Sequence, residues 1–243
     1  MKNNLNCKII VPFYEDFENF KVLIKKIEEI EQNEEIFLIV DNGSSSNDIE
    51  EYYYKNNPEK KKWNFLKIQN NLGFGGAVKH AATYINEDFI AWMPGNNKVN
   101  PIDVHSLIRN PENLQQNLLV KAKRSQRPFI DSLKTFIFSI FFSIWFQKLM
   151  FDNGGTPNII SKNILLNISN SPNDFLFDIF LYYYSVISGY KIKRPKVAYK
   201  KRLYGKSHWQ KGFNSEFKLL YDVFLSKNTW KKTAENDMKK IKL

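Results

Sequence analysis

A single cysteine, Cys7, among 243 residues rules out an intrachain disulfide and a cysteine-built metal centre. That economy suits a reducing, cytoplasmic setting. The opening residues MKNNLNCKII have neither the apolar core nor the small-residue cleavage site of a secretory signal, so the protein is expected to stay in the cytoplasm, or at the inner face of the cytoplasmic membrane. No internal repeat stands out. The most apolar stretch, TFIFSIFFSIWF from Thr135 to Phe146, is shorter than the roughly 20 residues a bilayer span needs. Acids are scarce: 36 Lys and Arg stand against 25 Asp and Glu, a net charge of +11, and no acid at all lies between Lys191 and Lys211. Such a bias points to an anionic partner. Nucleic acid fits poorly, because the aromatics are grouped in apolar runs rather than interleaved with basic residues on a stacking surface.

What is present is enough apolar material for a core, with 43% hydrophobic and 15% aromatic residues. Two apolar runs end alike. Ile36 to Val40 gives way to Asp41, Asn42, Gly43 and three serines; Ile9 to Val11 gives way to Pro12, an aromatic pair, Glu15 and Asp16. A helical pattern from Phe17 to Ile30 joins them, so strand, crossover helix and strand form a βαβ unit with both strand ends on one rim. Ligands in such sheets bind outside the carboxyl ends of the strands. Asp41 at that edge can accept hydrogen bonds from a base or ribose, although Asp-Asn-Gly-Ser is also ordinary turn chemistry.

The segments VPFYED, VDNGSSSND, NNLGFGGAVKHA from Asn70 to Ala81 and YGKSHW from Tyr204 to Trp209 occur in an order that resembles the family 2 glycosyltransferases of GT-A fold, in the branch that glycosylates polyprenyl or dolichyl phosphates. The resemblance implies an α/β, GT-A (Rossmann-like) mixed, mainly parallel sheet flanked by helices. It also implies an inverting transferase moving sugar from a UDP- or GDP-linked donor to a lipid-phosphate or cell-surface glycan acceptor. Residues 1–120 would hold the nucleotide sugar, 121–226 the acceptor, and 227–243 would form a basic tail. By the same resemblance Pro12, Tyr14, Glu15, Asp41 and Gly73 line the nucleotide pocket, and Arg202, Lys206, Ser207 and Trp209 close over the donor phosphates.

One departure from the family pattern bears on the metal. Where relatives carry DXD, this chain has Pro94, Gly95 and Asn96. Proline offers no ligand atom and asparagine only a neutral carbonyl, so hard-cation binding is weakened by two lost charges. Three readings follow, in order: a metal-independent transferase, a weak Mg2+ or Mn2+ site completed by Asn96 and the donor phosphates, or a pseudo-glycosyltransferase that binds nucleotide or membrane without turnover. In a metal-independent enzyme the diphosphate charge falls to Arg124 and Arg127, in a basic loop after a strand at 118–120, and to the later cations. Asp178, the one charge in the aromatic run FLFDIFLYYY, and Asp152 are the candidate general bases for a hydroxyl acceptor. An ionised lipid phosphate would need no strong base. Thr135–Phe146 reads equally as a buried helix or as a peripheral membrane contact shared with the basic tail. Tyr190 to Tyr199 reads as the last strand.

Overall fold

The computed structural model describes residues 6–30, 35–56, 63–168, 170–205 and 213–241. In chain order these are β1 (Cys7–Phe13), α1 (Phe17–Glu28), β2 (Phe37–Asn42), α2 (Asp48–Asn56), β3 (Trp63–Ile68), α3 (Gly73–Ala82), β4 (Phe89–Trp92) and α4 (Pro101–Arg109). There follow β5 (Leu118–Lys121), β6 (Lys123–Ser125), α5 (Phe129–Phe146), β7 (Asn158–Ser161), α6 (Lys162–Asn167), α7 (Leu176–Ile187), β8 (Lys191–Lys193), β9 (Lys196–Ala198) and α8 (Phe213–Ile241). The main sheet runs β3-β2-β1-β4-β7-β5-β8. β7 alone is antiparallel to its neighbours β4 and β5. The expected mixed, mainly parallel α/β architecture is the one found.

The central strands are buried on both faces, which is why they read as unbroken apolar runs. Their period of two divides the core. Ile10, Leu38 and Val40 pack with α3 and α7, whereas Ile9, Val11 and Ile39 pack with α1 and α4 on the other face. Because β1, β2, β3 and β4 are parallel, their carboxyl ends share one rim.

Four expectations change. The basic loop holding Arg124 is a short strand, β6, paired with β9 in a separate two-stranded sheet. The expected last strand is two strands in two sheets, broken at Pro195, which lacks the N–H a continuous ladder needs. The apolar stretch Thr135–Phe146 belongs to a helix that takes in its amino-terminal flank: α5 has 18 residues, about 27 Å, with Asp131 and Lys134 within it. It is not a buried helix, since Phe129 and Ile144 are 79% and 73% exposed. Residue 227, where a tail was expected to start, falls inside α8, and Trp230 and Ala234 beyond it are buried in the core.

Candidate active site

The rim is held together by hydrogen bonds between strand ends. Glu15 takes a φ of 48°, and its backbone N–H donates to Ser44 Oγ at 3.0 Å while Ser45 N donates back to Glu15 Oε1 at 2.7 Å. Asn42 reaches across to the next turn: its Oδ1 accepts from Leu72 N at 3.1 Å, and its amide donates to Asn71 Oδ1 and Gly73 O. Gly73, at φ 74°, starts α3 where a Cβ would stand 2.5 Å from the carbonyl oxygen of Asn173. Only glycine satisfies both conditions. Asp41, expected at the cleft edge, is fully buried. Its Oδ1 accepts from Ser44 N at 3.0 Å, and Oδ2 is enclosed with no hydrogen-bond partner among the described residues. Pro12 is half-buried, while Tyr14 and Glu15 are exposed.

Beside this rim opens a cavity of about 840 Å³. Of the residues singled out in the sequence, Asn96, Arg124, Arg127, Asp178 and Arg202 line it. Pro12, Tyr14, Glu15, Asp41, Gly73 and Asp152 are not in its wall. Lys206, Ser207 and Trp209 lie outside the described residues. The rim and the cavity are nevertheless tied together. Arg202 pairs with Asp16 at the end of β1, and Asn19 Nδ2 donates to both Asp16 Oδ1 (2.7 Å) and the carbonyl of Tyr204 (2.9 Å).

Asp178 belongs to the floor. Trp92 Nε1 and Asn158 Nδ2 both donate to its Oδ1, at 3.0 and 3.2 Å, and Oδ2 takes no hydrogen bond from the described residues. Burial pushes its pKa up, against the pull of Lys121 and of the Trp92 hydrogen bond. Lys121 is itself fully buried at the end of β5, donating to Gly155 O at 3.0 Å and Asn158 Oδ1 at 3.2 Å. Desolvation lowers its pKa to about 8, with Asp178 opposing. A Cβ on Gly155 would stand 2.0 Å from the carbonyl oxygen of Ala122, so this strand-to-loop approach requires glycine.

Asp152 works differently. Its carboxylate accepts from Arg124 Nε at 2.7 Å and Arg124 N at 2.8 Å, and the guanidinium closes an ion pair at 2.5 Å. Burial raises its pKa, but Arg124, by charge and by hydrogen bonds, together with Arg194, holds it below the usual value. These contacts brace β6 against the 152–157 loop.

Sequence reading missed Tyr199 and Lys98. The Tyr199 ring sits among three cations: Arg124 at 5.4 Å, Lys98 at 5.7 Å and Arg127 at 5.8 Å from its centroid. Arg127 also donates to Thr135 Oγ1 on α5 at 2.7 Å. A basic run ending in an aromatic, KRPKVAY, was visible in the sequence, but nothing local says that the ring turns toward a loop 70 residues earlier. Phe74, Phe138, Phe142, Phe175 and Ile179 make the apolar part of the wall.

The residues after β4 do not fit a divalent cation. Pro94 and Asn96 line the cavity without a carboxylate, Asn96 Oδ1 is engaged by Lys98 N at 3.2 Å, and among the described residues no three acidic, histidine or cysteine side chains converge to hold a metal.

A parallel-sheet rim, an antiparallel β7 and a cavity walled by cations beside it make an α/β fold with a site suited to an anionic ligand. The chain belongs to glycosyl transferase family 2, whose model matches residues 8–165. It is a glycosyltransferase. Solved structures bear out the GT-A fold. Glucosyl-3-phosphoglycerate synthase from Mycobacterium tuberculosis with Mn2+, UDP-glucose and phosphoglyceric acid superposes with a TM-score of 0.66 at 10% identity, covering 94% of this chain and 79% of that one. The same enzyme with Mn2+, UDP and glucosyl-3-phosphoglycerate gives 0.61 at 11%, covering 91% and 77%. A further mycobacterial protein gives 0.65 at 12%, covering 91% and 72%. No curated protein sequence matches.

Proposed function

We propose that the protein is an inverting transferase that places a sugar from UDP or GDP on a lipid-linked or glycan acceptor, without a bound metal, at the inner face of the cytoplasmic membrane. The observation that carries the acceptor reading is the two-sidedness of α5. Its inner side contributes Lys134, Thr135, Phe138 and Phe142 to the cavity, while Ile130, Leu133, Ile137, Ile140 and Ile144 repeat at helical spacing on its outer side and are exposed. An acceptor with an anionic head and an apolar tail matches a cavity with cations at one part of its wall and phenylalanines at another. Lys227 over Trp145 at 4.7 Å, and Trp145 stacked on Phe224 at 4.2 Å, extend this face onto α8 with charge suited to anionic lipid. α5 is the one described helix long and apolar enough to cross a membrane. Its cavity-lining side favours lying in the interface over spanning it.

In this reading the rim residues Pro12, Tyr14 and Glu15 bound the nucleoside, Asp41 holds the turn that carries it, and Gly73 marks the start of α3 beside it. The acceptor oxygen attacks the anomeric carbon as the bond from that carbon to the diphosphate oxygen breaks, and the electron pair leaves with the nucleoside diphosphate. Arg124, Arg127 and Arg202 stabilise the departing charge. For a hydroxyl acceptor, Asp178 Oδ2 takes the proton; a lipid phosphate brings no proton to remove. Asp152 acts by positioning Arg124.

One structural neighbour, glucosyl-3-phosphoglycerate synthase, is in complex with Mn2+ and UDP-glucose, so metal dependence is the point most worth testing. The experiment is transfer from a panel of UDP- and GDP-sugars to polyprenyl phosphate in anionic vesicles, with and without a chelator. Transfer that survives chelation and needs the lipid supports the reading. Transfer only to water-soluble acceptors contradicts the lipid acceptor, and loss on chelation contradicts metal independence.

A further inference from the structure

We infer that Lys98 supplies, from within this chain, the positive charge on the donor diphosphate for which the turn after β4 has no metal ligands. This rests on the metal-independent reading above and names the group that does the work. Three observations lead to it.

The first is placement. Lys98 stands two residues past Asn96, in the same turn, and both line the cavity. The turn is held at two points: Asn96 Oδ1 accepts from the Lys98 backbone N–H at 3.2 Å, and the Lys98 carbonyl accepts from Lys200 N at 2.8 Å. Asn96 therefore serves as the bracket for Lys98 and is occupied in doing so.

The second is commitment. Of the cations on this wall, Arg124 is paired with Asp152 and Arg202 with Asp16. Among the described residues Lys98, Arg127, Lys200 and Lys201 of this wall have no ion pair, and of these Lys98 and Arg127 reach the Tyr199 ring. An exogenous anion finds its charge there.

The third is cost. Lys98 is half-buried, and desolvation, followed by Arg202, Arg124 and Arg127, lowers its pKa, with Asp131 the one acid opposing. Three like charges gathered around one ring, with Arg202 acting on Lys98 as well, are unfavourable by themselves and favourable once a doubly charged diphosphate group lies among them. An ammonium serves this purpose where a divalent ion would: it is a compact charge with three donors, fixed by its backbone before the ligand arrives. It takes up no proton during transfer.

The test is calorimetric binding of UDP and GDP, against UMP and GMP, to wild type, Lys98→Met and Lys98→Arg in a chelator, with thermal melts to confirm that each variant folds. Wild type is expected to bind one of the diphosphates without metal and to prefer it over its monophosphate. Lys98→Met is expected to weaken the diphosphate by about 10-fold or more and the monophosphate by less than about 2-fold, the size of one charge-assisted contact. Lys98→Arg should retain most of the preference. Unchanged diphosphate affinity in a folded Lys98→Met overturns the role of Lys98 and leaves metal independence standing. Wild-type affinity that appears only with Mn2+ overturns both. If Lys98→Met fails to fold, Lys98→Arg and Lys98→Gln carry the comparison, with loss of the diphosphate preference in the glutamine variant alone as the supporting result and retention in both as the refuting one.

Discussion

Asp41 and Asp178 are both buried aspartates near strand ends of the same sheet, and the protein uses them in opposite ways. Asp41 sits at the end of β2, where its Oδ1 is taken by the Ser44 N–H of its own turn. Asp178 sits on α7, where two side-chain donors from other elements meet Oδ1 and the carboxylate faces a cavity. The contrast extends to their neighbourhoods. Around Asp41, polar groups of consecutive strand ends hydrogen-bond to one another although its own Oδ2 takes no bond from the described residues, so this half ties the strand ends into a rim. Around Asp178, charges are set against phenylalanines and a large open volume. The rim was the more recognisable half in sequence, and the cavity gathers more of the charged side chains. Local polar patterning marks where a site is anchored; long-range convergence decides what it does.

The sharpest way to break this comparison is to neutralise both acids. Asp178→Asn is expected to lower kcat for a hydroxyl acceptor by about 10²- to 10⁴-fold, the usual worth of a positioned base. The pH profile of wild type should rise through the elevated pKa of Asp178 and flatten in the variant. Stability should move the other way. A carboxyl whose folded pKa lies above its unfolded value of 3.8 binds more protons folded, so stability falls as pH rises through the window between the two. Asp178→Asn removes that slope, and denaturant titrations across acidic to neutral pH check it. Asp41→Asn should leave kcat within a few-fold. Should the two variants lose activity equally, the division of labour is wrong.

The next largest effect is structural. Arg124→Ala strands the buried Asp152 carboxylate and is expected to cost about 3–5 kcal/mol by urea denaturation. The folded pKa of Asp152 is depressed, so the stability it contributes is present above the ordinary carboxylate pKa and is lost as pH falls. Arg124→Ala should therefore flatten the acid side of the stability profile as well as lowering it. Asp41→Ala is expected to cost about 1 kcal/mol, one turn hydrogen bond. Smallest on stability, within about 0.5 kcal/mol, should be Ile137→Lys and Ile144→Lys on the exposed side of α5. Vesicle flotation should nevertheless show lost binding, and retained binding would remove the membrane from the account.

Much of the fold was legible because buried parallel strands write themselves as unbroken apolar runs, and Asp-Asn-Gly-Ser and Pro-Phe-Tyr-Glu mark their ends. The site was legible only in part. Asp178 stood out as a charge in an aromatic helix, and Arg124 and Arg127 as cations without a local acid. Their partners did not, because Asp152 lies 28 residues from Arg124 and Tyr199 lies 72 residues from Arg127, and contacts at that separation leave no trace in local pattern. Lys121 reads as a surface lysine until β7 and the 152–157 loop close over it. The start of α5 is hidden in sequence for a related reason: Asp131 and Lys134 are polar where the apolar run begins, but both line the cavity, so the helix passes through them.

The most direct test is a crystal structure of the protein grown with UDP or GDP, whichever binds, in a chelating buffer. The account predicts phosphate density between the turn carrying Asn96 and Lys98 and the wall of Arg127 and Arg202, with the sugar side of the diphosphate directed toward Asp178. Phosphates found elsewhere on the surface, or seen in this cavity only when Mn2+ is supplied and bridged by it, would contradict the account.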